Sequence, residues 1–326
     1  MTDRLEGACA RGFARHETFH PRYGWLRKAV EGVERDPGIF NAEDATVQLG
    51  VGKNMVKSIR FWAMAAKLIE PTAGSGSRHV LEQATANGHA IFGDDGADPY
   101  LEAPGTLWLT HWWLLRPRCD IPVWWLAFNR FTPVEFTEAQ LVDFVSEEIS
   151  RSSWASPNVS SIEKDVSCLL RTYAAVRRGR ASIDDLLDCP FRNLGLIEEV
   201  STDAFRFVLG RKPGLPPEIV LYAVIDWMAM QVTGARTVAL SRLVAEPGTP
   251  GRAFRLGDTT LAELLSDAVS LTGIGVLSAS AGTRQLAVAG DLDAAKQAVL
   301  KSYYRRVHLT LKRPLDRSSA MAGASA

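Results

Sequence analysis

Between Trp25 and Lys67 the apolar positions fall on helical stripes separated by short polar turns. A first stripe carries Trp25, Leu26, Ala29, Val30 and Val33, and Pro37-Gly38 ends it. Asn41 offers an N-cap for a short helix over Ala42–Leu49, and Gly50-Val51-Gly52 makes a tight turn. A longer helix is predicted from Lys53 to about Lys67, with Val56, Ile59, Ala63 and Ala66 on one side. Helix, three-residue turn with glycine, longer helix is the layout of a helix-turn-helix. Leu49, Val56 and Ile59 stand where such a motif buries apolar side chains, and Thr46 is small where the helices cross.

The pattern then changes twice. Residues 71–105 are less regular, with Ala73-Gly74-Ser75-Gly76-Ser77 as a flexible connection. Thr106–Phe131 holds five of the nine tryptophans, set among leucines and valines. That mixture predicts a buried helical pair rather than a platform for stacking bases, with His111 as a core histidine. Further on, Thr137 caps a helix through Ile149, and Asn158 starts another through Arg177 that ends in Arg177-Arg178-Gly179-Arg180. Phe205–Leu209 alternates like a strand.

After Gly214-Leu215-Pro216-Pro217 come a helix over Glu218–Met230, a short one over Ser241–Ala245 and a Pro/Gly loop over 247–252. A helix over Thr260–Leu271 and two strands, Ile274–Leu277 and Arg284–Val288, complete a winged-helix-like order. Lys301–Arg313 predicts a basic terminal helix or strand, and the Ser/Ala-rich end a disordered tail. The expected class is mainly α (α+β), with helix-turn-helix or winged-helix-like modules in tandem. The expected domains are 1–132, 133–212 and 213–312, with a tail at 313–326.

Composition narrows the function by exclusion. The chain has 326 residues, 46% hydrophobic and 23% charged, enough for more than one core. Its 37 basic residues balance 37 acidic ones, so no overall polycation steers it to nucleic acid, and any such surface comes from local segregation. The segregation is present: Lys53, Lys57 and Arg60 share one helical face beside Asn54, and no acid occurs from Val51 to Lys67. These four are the expected DNA contacts, with a plain solvated face as the alternative. Arg252 and Arg255, in the Pro/Gly loop, are further phosphate contacts by residue type, although the loop lacks the lysine and spacing of a nucleotide P-loop. Cys9, Cys119, Cys168 and Cys189 form no C-x-x-C pair, which argues against a zinc ribbon or disulfide framework and predicts a reducing, cytoplasmic setting. No apolar run reaches the roughly 18 residues of a membrane span.

Candidate chemistry concentrates near the start. His16-Glu17-Thr18-Phe19-His20 matches H-E-x-x-H, but Pro21 biases His20 away from helical dihedrals and so spoils the one-face geometry a zinc protease needs. His16, Glu17 and His20 then stand as general base, acid or metal ligands. Arg15 and Arg22 are phosphate clamps, and Tyr23 is the one hydroxyl nucleophile of the cluster. The alternative role of His16 and Glu17 is to brace the helix that carries Trp25. The acidic loop Asp94–Glu102 does not have EF-hand spacing, but Asp98 and Glu102 complete or replace a metal site if it folds back onto the N-terminal unit.

Taken in order, RHETF, GWLRKA, QLGVGKNMVKSIRFWAMAAKLIE, DPYLEAPGTLWLTHWW, CPFRNLGLI and PGTPGRAFRL resemble a bacterial family long known only as a domain of unknown function. Its members sit in DNA phosphorothioation systems and include SspB-type nickases of the single-strand set. The resemblance runs from about Phe13 to Tyr304. It implies a DNA nickase working with a cysteine desulfurase, an ATPase and an ATP-pyrophosphatase, so that sulfur replaces a backbone oxygen in a phage-defence modification. Nicking usually uses water on a divalent ion, so Mg²⁺ or Mn²⁺ is the expected cofactor. It supplies no catalytic residue. The competing expectation is a non-catalytic DNA-binding regulator. A homodimer is open under both.

Overall fold

In the computed structural model, residues 4–72, 80–175, 189–280 and 282–317 are described. The expected connection at Ala73–Ser77, the basic run Arg177–Arg180 and most of the terminal tail lie outside them. The fold is mixed α+β, about half helical with small, mostly antiparallel sheets.

The first group comprises α1 (Leu5–Ala8), α2 (Trp25–Arg35), α3 (Ala45–Leu49), α4 (Lys53–Ala65), the hairpin β1 (Ile69–Pro71) and β2 (Glu82–Ala84), and α5 (Ala86–Phe92). α3 is shorter than expected because Asn41 does not cap it. Asn41 ends a 3₁₀ turn, and its side-chain amide donates to the carbonyl of Val80. Gly50 takes φ 62°, which lets the Val51 amide close back onto the Thr46 carbonyl and end α3 before α4 begins. Leu49, Val56 and Ile59 are buried.

At the centre stand α6 (Pro104–Leu115) and α7 (Pro122–Asn129). Each begins with proline, whose missing N–H costs nothing there, and each is buried all round, including Trp108, Trp112, Trp113, Trp124 and Trp125. His111 is a core residue: its Nε2 donates to the Ala253 carbonyl at 2.9 Å, so Nδ1 accepts from the Tyr173 hydroxyl at 2.8 Å. Burial pushes its pKa down to about 4.

In both of two further groups a strand is followed by helices and then by a hairpin. In the first, β3 (Glu135–Thr137), α8 (Glu138–Ser150) and α9 (Val159–Tyr173) precede β4 (Ala174–Ala175), β5 (Ile197–Ser201) and β6 (Ala204–Phe207). Thr137 and Gln140 make a reciprocal capping box on α8, and Asn158 caps α9. α9 stops at Tyr173 because the chain then pairs, parallel, with Ile197 and Glu198.

The second comprises α10 (Pro217–Ala229), β7 (Thr237–Ala239), α11 (Leu240–Ala245), α12 (Pro250–Ala253), α13 (Asp258–Thr272), β8 (Val276–Ser280) and β9 (Thr283–Ala287). In each repeat the leading strand pairs antiparallel with the last one, β3 with β6 and β7 with β9. The Pro/Gly loop contains α12, and Gly251 is required there: a Cβ would lie 2.2 Å from the carbonyl oxygen of Leu243.

α14 (Leu292–Arg306) packs along α10. It starts well before the basic run predicted from Lys301, because Asp291 caps it through the Ala294 amide. Asp226, fully buried on α10, joins the layers: it accepts from Trp112 Nε1 at 2.8 Å and pairs with Arg116 and Lys296, each at 3.0 Å. Among the described residues no helix is long and apolar enough to cross a membrane.

Candidate nucleic-acid interface

The His16–His20 segment is a turn, not a helix. Ala14, Glu17 and Thr18 all take positive φ, at 52°, 49° and 66°, in the left-handed region that non-glycine residues seldom occupy. This winding carries His16 inward until it is 1% exposed, its ring stacked on Trp62 and edge-on to Trp124. There His16 Nε2 meets Asp165 Oδ1 at 2.7 Å, and the same carboxylate oxygen accepts from the Ala14 amide at 2.9 Å. Among the described residues Nδ1 of His16 finds no hydrogen-bond partner, so the ring is held through Nε2 alone. Burial raises the pKa of Asp165, while His16 and the Ala14 amide pull it back.

The turn is held from two sides. From α4, Ser58 Oγ donates to the His16 carbonyl at 3.1 Å and Trp62 Nε1 to the Phe19 carbonyl at 3.0 Å. From α9, Asp165 holds His16 and Ala14, and Arg171 donates to the Thr18 carbonyl at 2.8 Å. Glu17 accepts from Lys57 Nζ at 3.1 Å. His16 therefore braces the fold instead of serving as an open base or ligand. Asp165 is not evident from the sequence around His16, because it lies 149 residues away. One signal for it exists: an acid sits among the inward positions Ile162, Val166 and Leu169 of an amphipathic helix.

The remaining residues of the cluster scatter. Arg15 is exposed, and His20 is half-buried. Arg22 lies 5.7 Å from the rings of both Phe19 and Trp25. Tyr23 is 44% exposed; its hydroxyl accepts from Asn193 at 2.8 Å, and burial raises its pKa, which disfavours the phenolate. Asp98 is buried and spends both oxygens on the loop itself, accepting from the Glu102 amide at 2.7 Å and the Ala103 amide at 3.0 Å. That brace sets the chain into Pro104 and α6, while the Glu102 side chain stays exposed. His16, Glu17, His20, Asp98 and Glu102 thus do not converge. Among the described residues no group of three His, Cys, Asp or Glu side chains is placed to hold a metal ion.

The basic residues divide cleanly. Lys53, Asn54 and Lys57 are exposed along α4. Arg60 is not a free cation: its Nε donates at 2.7 Å to Glu82, a fully buried carboxylate on β2. Arg252 wraps the end of α11, donating to the Ala245 carbonyl at 3.0 and 3.2 Å. Arg255 is buried at φ 53°, donates to the carbonyls of Ala127 and Phe131, and stacks 3.7 Å over Phe207. Burial, with Arg252 adding to it, lowers its pKa to about 9. Beside it Lys212 donates to the carbonyls of Gly210, Phe254 and Arg255 at 2.7–2.9 Å. Both are joint residues, which a loop rich in proline and glycine does not announce.

The family described as a protein of unknown function, DUF4007, matches residues 13–304. No curated protein matches the sequence. Two crystal structures are similar along nearly the whole chain. A magnesium ion-bound SspB superposes with TM-score 0.85 at 38% identity, over 94% of this chain and 91% of that one. A second SspB structure gives TM-score 0.85 at 40% identity, over 93% and 91%.

Proposed function

The chain belongs to the DUF4007 family and is of the SspB type, and on that footing we propose that it is a DNA-binding component of a DNA phosphorothioation system. One observation carries the binding: Lys53, Asn54 and Lys57 are exposed on α4, in a stretch without an acid from Val51 to Lys67. α4 follows a short helix and a glycine turn and precedes a hairpin, which is where a winged-helix module presents its recognition helix. The three groups of elements are in this reading winged-helix-like modules in tandem. Lysines on such a helix neutralise phosphates and release counterions, so affinity falls steeply with salt.

Nicking of one strand is the finer part of the proposal, and the likeness to SspB-type nickases supports it. A cysteine desulfurase, an ATPase and an ATP-pyrophosphatase are the corresponding partners. Magnesium belongs to the similar SspB structure. Among the described residues, the donors expected from the sequence do not fit a site of their own: His16 is committed to Asp165 and Asp98 to two backbone amides. The same burial favours a second reading, a DNA-binding subunit that does not cut.

A supercoiled plasmid separates the two. With Mg²⁺ or Mn²⁺, and with EDTA as control, the first reading expects open-circular product alongside retarded DNA. Retarded DNA that stays supercoiled under every metal supports the non-cutting subunit. No retardation at low salt contradicts both.

A further inference from the structure

α9 holds the same place in its group as α4 does in the first: both are the longer helix before the hairpin. On a helix of 3.6 residues per turn, Ser160, Lys164, Ser167 and Arg171 form one stripe at i, i+4, i+7 and i+11. Ser160, Lys164 and Arg171 are exposed and Ser167 is half-buried. The stripe reaches the 14–19 turn through Arg171, one residue along from where Lys57 of α4 meets it. Lys57 sits on Glu17, and Arg171 sits on Thr18, the next residue in the chain. Arg15, exposed in the same turn, adds a further cation. Arg192 extends this side by donating from Nε to the Arg171 carbonyl at 2.9 Å.

Acids are present as well. Glu17 is taken by Lys57. Glu163 falls on the flank of the stripe turned away from Asp165 and the turn, and Glu138 feels Arg171 from α8. Beneath the surface, the buried His16–Asp165 pair ties α9 to a turn that α4 holds through Ser58 and Trp62.

We propose that α9 is the second half of the DNA-binding face. Ser160, Lys164 and Arg171 continue the phosphate-contacting surface that Lys53, Asn54 and Lys57 begin, and the His16–Asp165 bracket sets the register between the helices. The proposal rests on the DNA-binding reading above. Its ligand is the sugar-phosphate backbone of duplex DNA, since lysine, arginine and serine hydroxyls in this array suit phosphate oxygens rather than base edges. His16 and Asp165 are positioning residues and touch no DNA.

The test measures how duplex affinity depends on salt for four proteins: wild type, Lys53→Ala/Lys57→Ala, Lys164→Ala and Lys301→Ala. Lys301 is an exposed lysine on α14, which packs on α10 and α13, and controls for net charge. Removing one cation that neutralises a phosphate flattens the plot of log affinity against log salt by about 0.9. The expected result is a flattening of about 2 for the double variant, about 1 for Lys164→Ala and none for Lys301→Ala, with thermal melting unchanged throughout. If the double variant flattens the slope while Lys164→Ala matches wild type, the role of α9 is overturned and the DNA reading stands. Equal effects of Lys164→Ala and Lys301→Ala also overturn it, as a net-charge effect. A wild-type affinity without salt dependence removes the DNA reading and this proposal together.

Discussion

α4 and α13 occupy equivalent places, each after a short helix and before a hairpin, yet they face solvent with opposite charge. α4 presents Lys53, Asn54 and Lys57. α13 presents Asp258, Glu263 and Asp267, of which the last two lie 4.0 and 3.4 Å from Arg211. A polyanion meets attraction at one helix and repulsion at the other. The order of elements therefore does not decide what a helix binds. The exposed side chains decide it, and they are the ground on which we propose the N-terminal helix, and not the C-terminal one, as the DNA contact.

The largest expected effect erases the comparison by breaking the scaffold common to both ends. Asp226→Ala leaves Arg116 and Lys296 without their shared buried carboxylate. Breaking a buried pair in this way costs about 3–5 kcal/mol. Urea denaturation should show the midpoint fall, and DNA binding should be lost with the fold.

Arg60→Ala sharpens the comparison, because it removes a cation from α4 that is structural. It strands the buried Glu82, whose pKa burial already raises against the pull of Arg60. The expected loss is about 2 kcal/mol of stability, with a DNA salt slope equal to that of wild type. A flattened slope would mean that Arg60 leaves Glu82 to meet phosphate.

The joint between the repeats is expected to show a pH effect. Burial, with Arg255 nearby, lowers the pKa of Lys212 to about 7 from an ordinary 10.5. Between those values the unfolded chain binds more protons than the folded one, so this residue makes stability rise with pH from about 7 to about 10.5. Below about 7 both states are protonated and its contribution is level. Wild type should gain stability over that range relative to Lys212→Met, by denaturant midpoints at matched pH.

The smallest effect belongs to α13. Glu263→Gln/Asp267→Asn removes only exposed pairs with Arg211, worth well under about 1 kcal/mol. DNA affinity should not change. A gain in affinity would show that DNA already lies close enough to α13 to be repelled.

What the sequence disclosed was local. The α4 stripe, the Thr137 and Asn158 caps and the tryptophan-rich core helices all depend on neighbours within a few turns, and periodicity and capping chemistry report such neighbours. Pro21 likewise tells against a metal-binding helix at His16–His20, and the segment is a turn. What remained hidden depended on distant partners. Nothing near His16 names Asp165, nothing near Arg60 names Glu82, and Arg255 in PGTPGRAFRL is committed to carbonyls at Ala127 and Phe131. Residue type and spacing identify a cation; whether it is free depends on what the rest of the chain brings to it.

Photo-crosslinking of duplex DNA to the full chain, with peptides mapped by mass spectrometry, tests the assignment of α4 most directly, because it reports which helix lies against DNA. Crosslinks are expected in α4 around Lys53–Lys57, and none in α13. Crosslinks concentrated in α13, with α4 unmodified, would contradict that assignment.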